Sequence, residues 1–324
     1  ISDRWATVLW YRLNLPLPVE LFSGQADLFH GPSFTLPPSL TPSLLTVHDL
    51  SFLRYPQGAH PALLAWLTKA VPRSLDRACH VLADSASTRT DLIELMQVPS
   101  DRITVIGAGV EERFQPVTDP AILSQTRARY KLPDRFILSV STLEPRKNFT
   151  GLIAAFGQMA AAIAMSSTAD LHLVIAGGKG WLYDDIFAAA KASPLRERIH
   201  FAGYVADEDL PALYSLATLF AFPSHYEGFG IPVLEAMACG TPVVCANNSS
   251  LPEIAGDAAL MMEATDTEAL AYAKSSFRED TSRRRNSGGT GQLGGYWTCI
   301  ACWLGASPNF TNLPLQAIIC QIMY

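Results

Sequence analysis

The middle of the chain alternates short, nearly unbroken apolar runs with stretches whose apolar positions recur every three or four residues. Strands buried on both faces of a parallel sheet, each followed by an amphipathic helix, give this pattern. "RFILSVS" (135–141), "LHLVIAGG" (171–178), "RIHFAGYV" (198–205), "TLFAFPS" (218–224) and "TPVVCAN" (241–247) read as strands. "NFTGLIAAFGQMAAAIA", "DDIFAAAKAS", "DEDLPALYSLA", "PVLEAMACG" and "LPEIAG" read as the intervening helices, and "AALMMEATDTEALA" as the start of another. The short connections predict one doubly wound α/β domain over residues 128–273.

A less regular series precedes it: "ADLFHGP", "SLLTVHDL" (43–50), "PALLAWLTKAVPRSLDRA", "CHVLADS" (79–85), "STRTDLIELM" and "RITVIGAGV" (102–110). It predicts a second α/β unit over residues 1–127 with too few strands for a full doubly wound sheet, so its opening strands are expected to be missing. "FQPVTDPAILSQTRARYKLPD" is polar and punctuated by proline, and reads as a linker with a helical turn or more. Residues 274–324 have no amphipathic period and no charge after Arg285; this tail is expected to be disordered or the product of a shifted reading frame.

Composition narrows the function classes. With 324 residues, about half of them apolar, the chain is long enough for two cored domains. A net charge of -6 without a broad basic surface argues against nucleic-acid binding, which needs clustered Lys and Arg to neutralise phosphates. Six scattered cysteines and no secretory signal predict reduced thiols and a cytoplasmic protein, with Cys79, Cys239 and Cys245 as small core residues. No apolar run approaches the roughly 18 residues that span a bilayer, although peripheral contact with a membrane surface stays open.

The candidate chemistry lies in the loops that follow strands. "SHYEGFGIPVLEAMACG" (224–240) places Gly228 and Gly230, for positive φ and close ligand approach, before Pro232 at the first helical position. A helix starting near Ile231 would turn its free N–H groups and dipole toward an anion such as a nucleotide diphosphate. Glu235, one turn in, suits the hydroxyls of a vicinal diol, and Glu227 in the loop suits sugar hydroxyls. A carboxylate offsetting the helix dipole and a solvated loop glutamate would explain the same two residues. "EPRKN" (144–148) follows the first strand of the same domain and favours the ligand reading. Arg146 and Lys147 at a helix start oppose its dipole, so the placement calls for a partner, and a diphosphate clamp supplies one. "TVHDL" (46–50) puts His48 at the carboxyl end of a first-domain strand. "DED" (207–209) and "YDD" (183–185) precede helices and read as cap and first-turn residues rather than metal ligands. "CIAC" (299–302) lacks a second ligand pair.

Taken in order, "ADLFHGPSF", "TVHDLSFLRYP", "VLADSASTRTDL", "LSVSTLEPRKN", "LVIAGGKGW" and "FAGYVADEDLPALYSLATLFAFPSHYEGFGIPVLEAMACGTPVV" resemble the retaining glycosyltransferases of family 4. The resemblance covers about residues 20–272 and includes their E-x7-E motif, Glu227 to Glu235. It implies the GT-B fold, two Rossmann-like doubly wound domains facing a cleft, here with the N-terminal domain incomplete. It also implies a hexosyltransferase of polysaccharide biosynthesis, moving mannose or glucose from a donor of the GDP-mannose or UDP-glucose type to a saccharide or lipid-linked acceptor. It further implies that no metal is required and that the work is done in the cytoplasm or at the inner face of the membrane. By the same resemblance Glu235 holds the ribose, and Glu227 with the amides of Gly228, Phe229 and Gly230 holds the hexose. Arg146 and Lys147 bind the diphosphate, Val205 lies near the base, and His48 lies near the anomeric carbon. A degenerate nucleotide-sugar-binding remnant and a glycoside hydrolase are the rival readings. The second needs two carboxylates flanking a bond, and gives no use to the cationic motif.

Overall fold

The computed structural model describes residues 7–13, 15–158 and 170–264, the side chains of residues 7, 8 and 12 excepted. The atypical tail and residues 159–164 of the expected helix "NFTGLIAAFGQMAAAIA" lie outside the described residues. Two compact units result: the described residues up to His48 with Ala65–Gly107, and Asp49–Leu64 with the described residues from Ala108 onward.

The first unit carries four parallel strands in sequential order: β1 (Phe29–Gly31), β2 (Ser43–Val47), β3 (His80–Ala83) and β4 (Ile103–Val105). Every residue of β2 is buried, as a central strand requires. The helix Ala86–Met96 is capped by Ser85, whose hydroxyl accepts from the Thr88 N–H at 3.0 Å. Cys79 does not join this core. It lies one residue before β3, where its N–H is tied to the Ser43 carbonyl, and its side chain is exposed; Cys239 and Cys245 are buried as expected.

The second unit holds six parallel strands: β5 (Arg135–Val140), β6 (Leu171–Ala176), β7 (Ile199–Gly203), β8 (Leu219–Phe222), β9 (Val243–Ala246) and β10 (Leu260–Met262). Their spatial order, β10-β9-β8-β5-β6-β7, is the doubly wound order, reversing direction between β5 and β8. Successive side chains take opposite faces, so Phe136, Leu138, Phe220 and Phe222 enter one core while Ile137, Leu173, Ile175 and Ala221 enter the other. Each large side chain fully buried in this way contributes about 1.5–3 kcal/mol relative to exposure. β10 occupies residues expected to start a helix. Three apolar residues carry no period, and pairing with β9 decides the outcome. The expected linker forms the helix Pro120–Arg129, capped by Asp119 and opened by Pro120 in its first turn.

Candidate functional site

Ligands of open α/β sheets bind beyond the carboxyl ends of strands where the strand order reverses. Here those ends belong to β5 and β8, and the loops that leave them are 141–148 and 223–230. The first loop is pinned by Leu143, whose N–H donates to the Gly178 carbonyl at 2.9 Å and whose carbonyl accepts from Gly180 at 3.1 Å. Gly177 sits at φ +142, and a Cβ there would overlap the Ser141 carbonyl, so this crossing requires glycine. A tight turn, Pro145–Lys147, follows, and Asn148 in the left-handed region (φ 56) hands the chain to the helix Phe149–Gln158. The cations therefore precede the helix on their own turn instead of sitting in its first turn.

The second loop is held from three sides. Asn148 Nδ2 donates to the Pro223 carbonyl at 3.0 Å and to the Ala264 carbonyl at 2.7 Å. Asn248 Nδ2 donates to the Ser224 carbonyl at 3.0 Å, and the Glu227 N–H donates to Ser249 Oγ at 2.9 Å. Ser250 Oγ donates to the Glu227 and Phe229 carbonyls at 3.0 and 2.5 Å. Sequence reasoning passed over Asn248, Ser249 and Ser250. The signal was the run "NNSS" ahead of a helix, which reads as capping, yet Ser250 spends its hydroxyl on the loop and caps nothing. Of the two loop glycines only Gly230 has positive φ, at 119, and a Cβ there would press on Leu251.

Folded this way, the loops bring Arg146, Lys147 and Glu227 together. Arg146 Nη1 donates to Glu227 Oε2 and to the Tyr226 carbonyl, both at 2.9 Å, and Lys147 Nζ donates to Glu227 Oε1 at 2.7 Å. Arg146 Nη2 lies 2.7 Å from Oε1 of a residue given no role by the sequence, Glu144. Glu227 is 6% exposed and Glu144 only 2%, so neither is a solvated loop acid. The partner that the cations require is, in the first place, within the chain. Burial by itself would raise the Glu227 carboxyl, but Lys147 and Arg146 outweigh it and hold the pKa below the usual range. Burial opposes the Arg146 charge too, and Glu227 and Glu144 more than offset it, raising the guanidinium pKa. At Glu144 burial wins over Arg146 and Lys147, and the pKa is raised.

The segment Asp49–Leu64 packs against the same edge of the second unit. The Tyr55 ring stacks on His225, with centroids 5.0 Å apart, and the His225 N–H donates to the Arg146 carbonyl at 2.8 Å. Trp181 Nε1 donates to the Gly58 carbonyl at 2.8 Å, and Asp49 adds its negative charge to the field at Arg146.

Glu235 stands apart from this cluster. It lies on the helix Ile231–Ala238, which has no side-chain cap, and its Oε2 accepts from the Tyr214 hydroxyl at 2.7 Å. Burial raises its pKa against the opposing effects of Tyr214 and Arg113. Val205 is 4% exposed within the core, while the adjacent Tyr204 is 71% exposed. His48 follows β2 in the first unit; its Nδ1 is hydrogen-bonded to Asp84 Oδ2 at 2.9 Å, and Phe34 meets the ring edge-on. Asp209 precedes its helix without capping it, accepting instead from Arg129 Nη1 and the Tyr130 hydroxyl, each at 2.7 Å. Asp184 and Asp185 occupy a first helical turn. No group of three or more metal-ligating side chains occurs among the described residues, and no described helix is long and apolar enough to cross a membrane.

Comparison with known proteins adds to this geometry. The family model for glycosyl transferases group 1 matches residues 125–292, and that for glycosyltransferase family 4 matches residues 3–114. The O-antigen chain mannosyltransferase B of Escherichia coli is 36% identical over 258 residues, which are 79% of this chain and 66% of that protein. The serotype-specific mannosyltransferase WbdA of Escherichia coli is 38% identical over 183 residues, 56% of this chain and 22% of that one. The chain thus spans a little under two thirds of the first relative and about a fifth of the second. Anabaena HepE, crystallised with UDP and glucose, superposes with a TM-score of 0.66 at 22% identity, covering 82% of this chain and 72% of that one. The likeness establishes the GT-B fold expected from the sequence.

Proposed function

Starting from the fact that the chain belongs to the group 1, family 4 glycosyltransferases, we propose that it transfers a hexose, mannose or glucose, from a nucleotide-diphosphate sugar to a saccharide or lipid-linked acceptor, with retention of configuration. The observation that carries this reading is the Arg146–Glu227–Lys147 cluster at the point where the strand order reverses. Two part-buried cations fixed in advance on a tight turn can bind the donor's diphosphate and stabilise the charge that grows on it as the glycosidic bond breaks. They do so without reorganising at the moment of reaction, which is where such electrostatics act most strongly.

Each remaining residue takes a matching part. Glu235 Oε2 is committed to Tyr214, and the other oxygen is assigned to the ribose hydroxyls. Glu227 sets the spacing of the two cations; together with the amides of Gly228, Phe229 and Gly230 it is assigned to the hexose. Val205 contributes through its main chain near the base. His48, oriented by Asp84, is the first unit's candidate for the transfer step. A metal is not needed in this scheme, because the cations take its electrostatic role. The relatives named as mannosyltransferases favour mannose.

A titration panel of GDP-mannose, UDP-glucose, UDP-N-acetylglucosamine and the free nucleoside diphosphates tests the reading. One nucleoside diphosphate and its sugar should bind and raise Tm, with affinity lost in Lys147→Ala. Release of sugar from simple glycosides with no nucleotide requirement would overturn it in favour of hydrolysis.

A further inference from the structure

Glu144 is the one member of the charged cluster without a part in that scheme. It follows the pinned residue Leu143 and begins the Pro145–Lys147 turn in extended conformation (φ -147, ψ 157), yet its side chain caps nothing. Its carboxylate is almost wholly buried and faces Arg146, Lys147 and Glu227; Asp49 acts on the same guanidinium. Oε1 approaches Arg146 Nη2 to 2.7 Å as an ion pair, but it is among the buried oxygens that lack a well-aligned hydrogen-bond partner. Glu227, by contrast, receives aligned hydrogen bonds from both cations. The charges of the two cations and two carboxylates cancel, and Asp49 adds a further negative charge to the field at Arg146.

We propose that Glu144 is a positioning residue that holds Arg146 in the fork between itself and Glu227, and that it takes up one proton from solvent when a donor diphosphate binds the two cations. The inference rests on the diphosphate reading given above. A nucleotide sugar brings two negative charges to a largely buried cluster whose cations are already balanced by carboxylates, and an uncompensated buried charge is far costlier than a proton gained. The proton goes to the carboxylate with the poorest hydrogen bonding and one close cation, not to the one with two. The directions of the two pKa shifts, upward at Glu144 and downward at Glu227, agree with that order. When the product diphosphate leaves, the proton returns to solvent and the Arg146–Glu144 ion pair is restored.

The test is isothermal titration of the full chain with GDP-mannose and UDP-glucose, whose phosphates do not titrate near neutrality, in buffers of differing ionisation enthalpy. Net proton uptake is expected on binding. In the pH window of the uptake, Kd should weaken by up to about tenfold per pH unit as pH rises. Glu144→Gln should still bind the donor, with no uptake and a Kd independent of pH in that window. Binding to the wild-type chain without uptake anywhere between about pH 5.5 and about pH 8 overturns the proposal; so does uptake that persists in Glu144→Gln. Should neither nucleotide sugar bind the folded wild-type chain, the diphosphate reading itself falls, and the inference with it. If the variant does not fold, the wild-type buffer series still decides.

Discussion

The hydroxyl of Tyr214 donates to Oε2 of Glu235 across 2.7 Å, from a ring that is fully buried and wedged edge-on between Phe114 and Phe220. Tyr214→Phe keeps the packing and removes the donor, leaving a carboxylate whose pKa is already raised by burial without its hydrogen bond. A hydrogen bond to a charged group is worth about 1.5–3 kcal/mol. A raised folded-state pKa means that the stability linked to Glu235 is present below the ordinary carboxylate range and lost as pH rises through the folded value. Losing Tyr214 raises that value further. The variant's deficit in urea denaturation should therefore be large at neutral pH and shrink near pH 4. A deficit that is the same at both pH values would show that the bond does not bear on the carboxylate.

Lys147→Ala should do two separable things. It leaves Glu227 buried with one cation fewer, and breaking a buried pair costs about 3–5 kcal/mol. It also weakens nucleoside diphosphate binding at least about tenfold. Adding Glu227→Gln removes the stranded charge, so the double variant should recover much of the Tm but none of the affinity. Recovery of both would place the diphosphate elsewhere.

Gly177→Ala probes the crossing beneath the cationic turn. The new methyl would collide with the Ser141 carbonyl at a φ that L-residues rarely adopt, so something in the backbone must shift. Strain of this kind costs about 1–3 kcal/mol. Because Ser141 leads into the loop that carries Arg146, Tm and donor affinity should fall together. A variant of wild-type stability would contradict the geometry.

Thiol labelling separates the cysteines. Burial pushes the Cys239 and Cys245 thiols up to about 12, so neither forms an appreciable thiolate near neutrality. Among the described residues, peptide mapping after brief alkylation of the folded chain should find Cys79 modified and Cys239 and Cys245 untouched. Modification of Cys245 at a similar rate would show that β9 is open to solvent.

Strands β5 to β9 of the second unit were legible in the sequence because each is an apolar run closed by small or turn-forming residues, and because their even spacing allows one architecture. β10 was not, since Leu260–Met262 is too short to show a period and is fixed by its neighbour β9. The motif residues were legible as candidates, but their relationships were not. Glu227 looked like a loop residue because burial of a charge depends on partners some 80 positions away, and no local pattern encodes them. Glu144 escaped notice for the same reason, its charge being explained only by Arg146 folding back upon it. Cys79 misled in the opposite sense, as apolar neighbours made it look like core.

The membership of Asp49–Leu64 in the second unit bears on how this gene can be cut and recombined. A fragment beginning at Ala108 would leave the Trp181 indole without the Gly58 carbonyl and the His225 ring without Tyr55. A chimera joined once near that residue would set the Tyr55 of one parent on the His225 of another, asking two surfaces with separate histories to fit. Exchanges between relatives that carry residues 49–64 along with the second unit keep partners of common descent together, and they are the ones expected to yield folded hybrids.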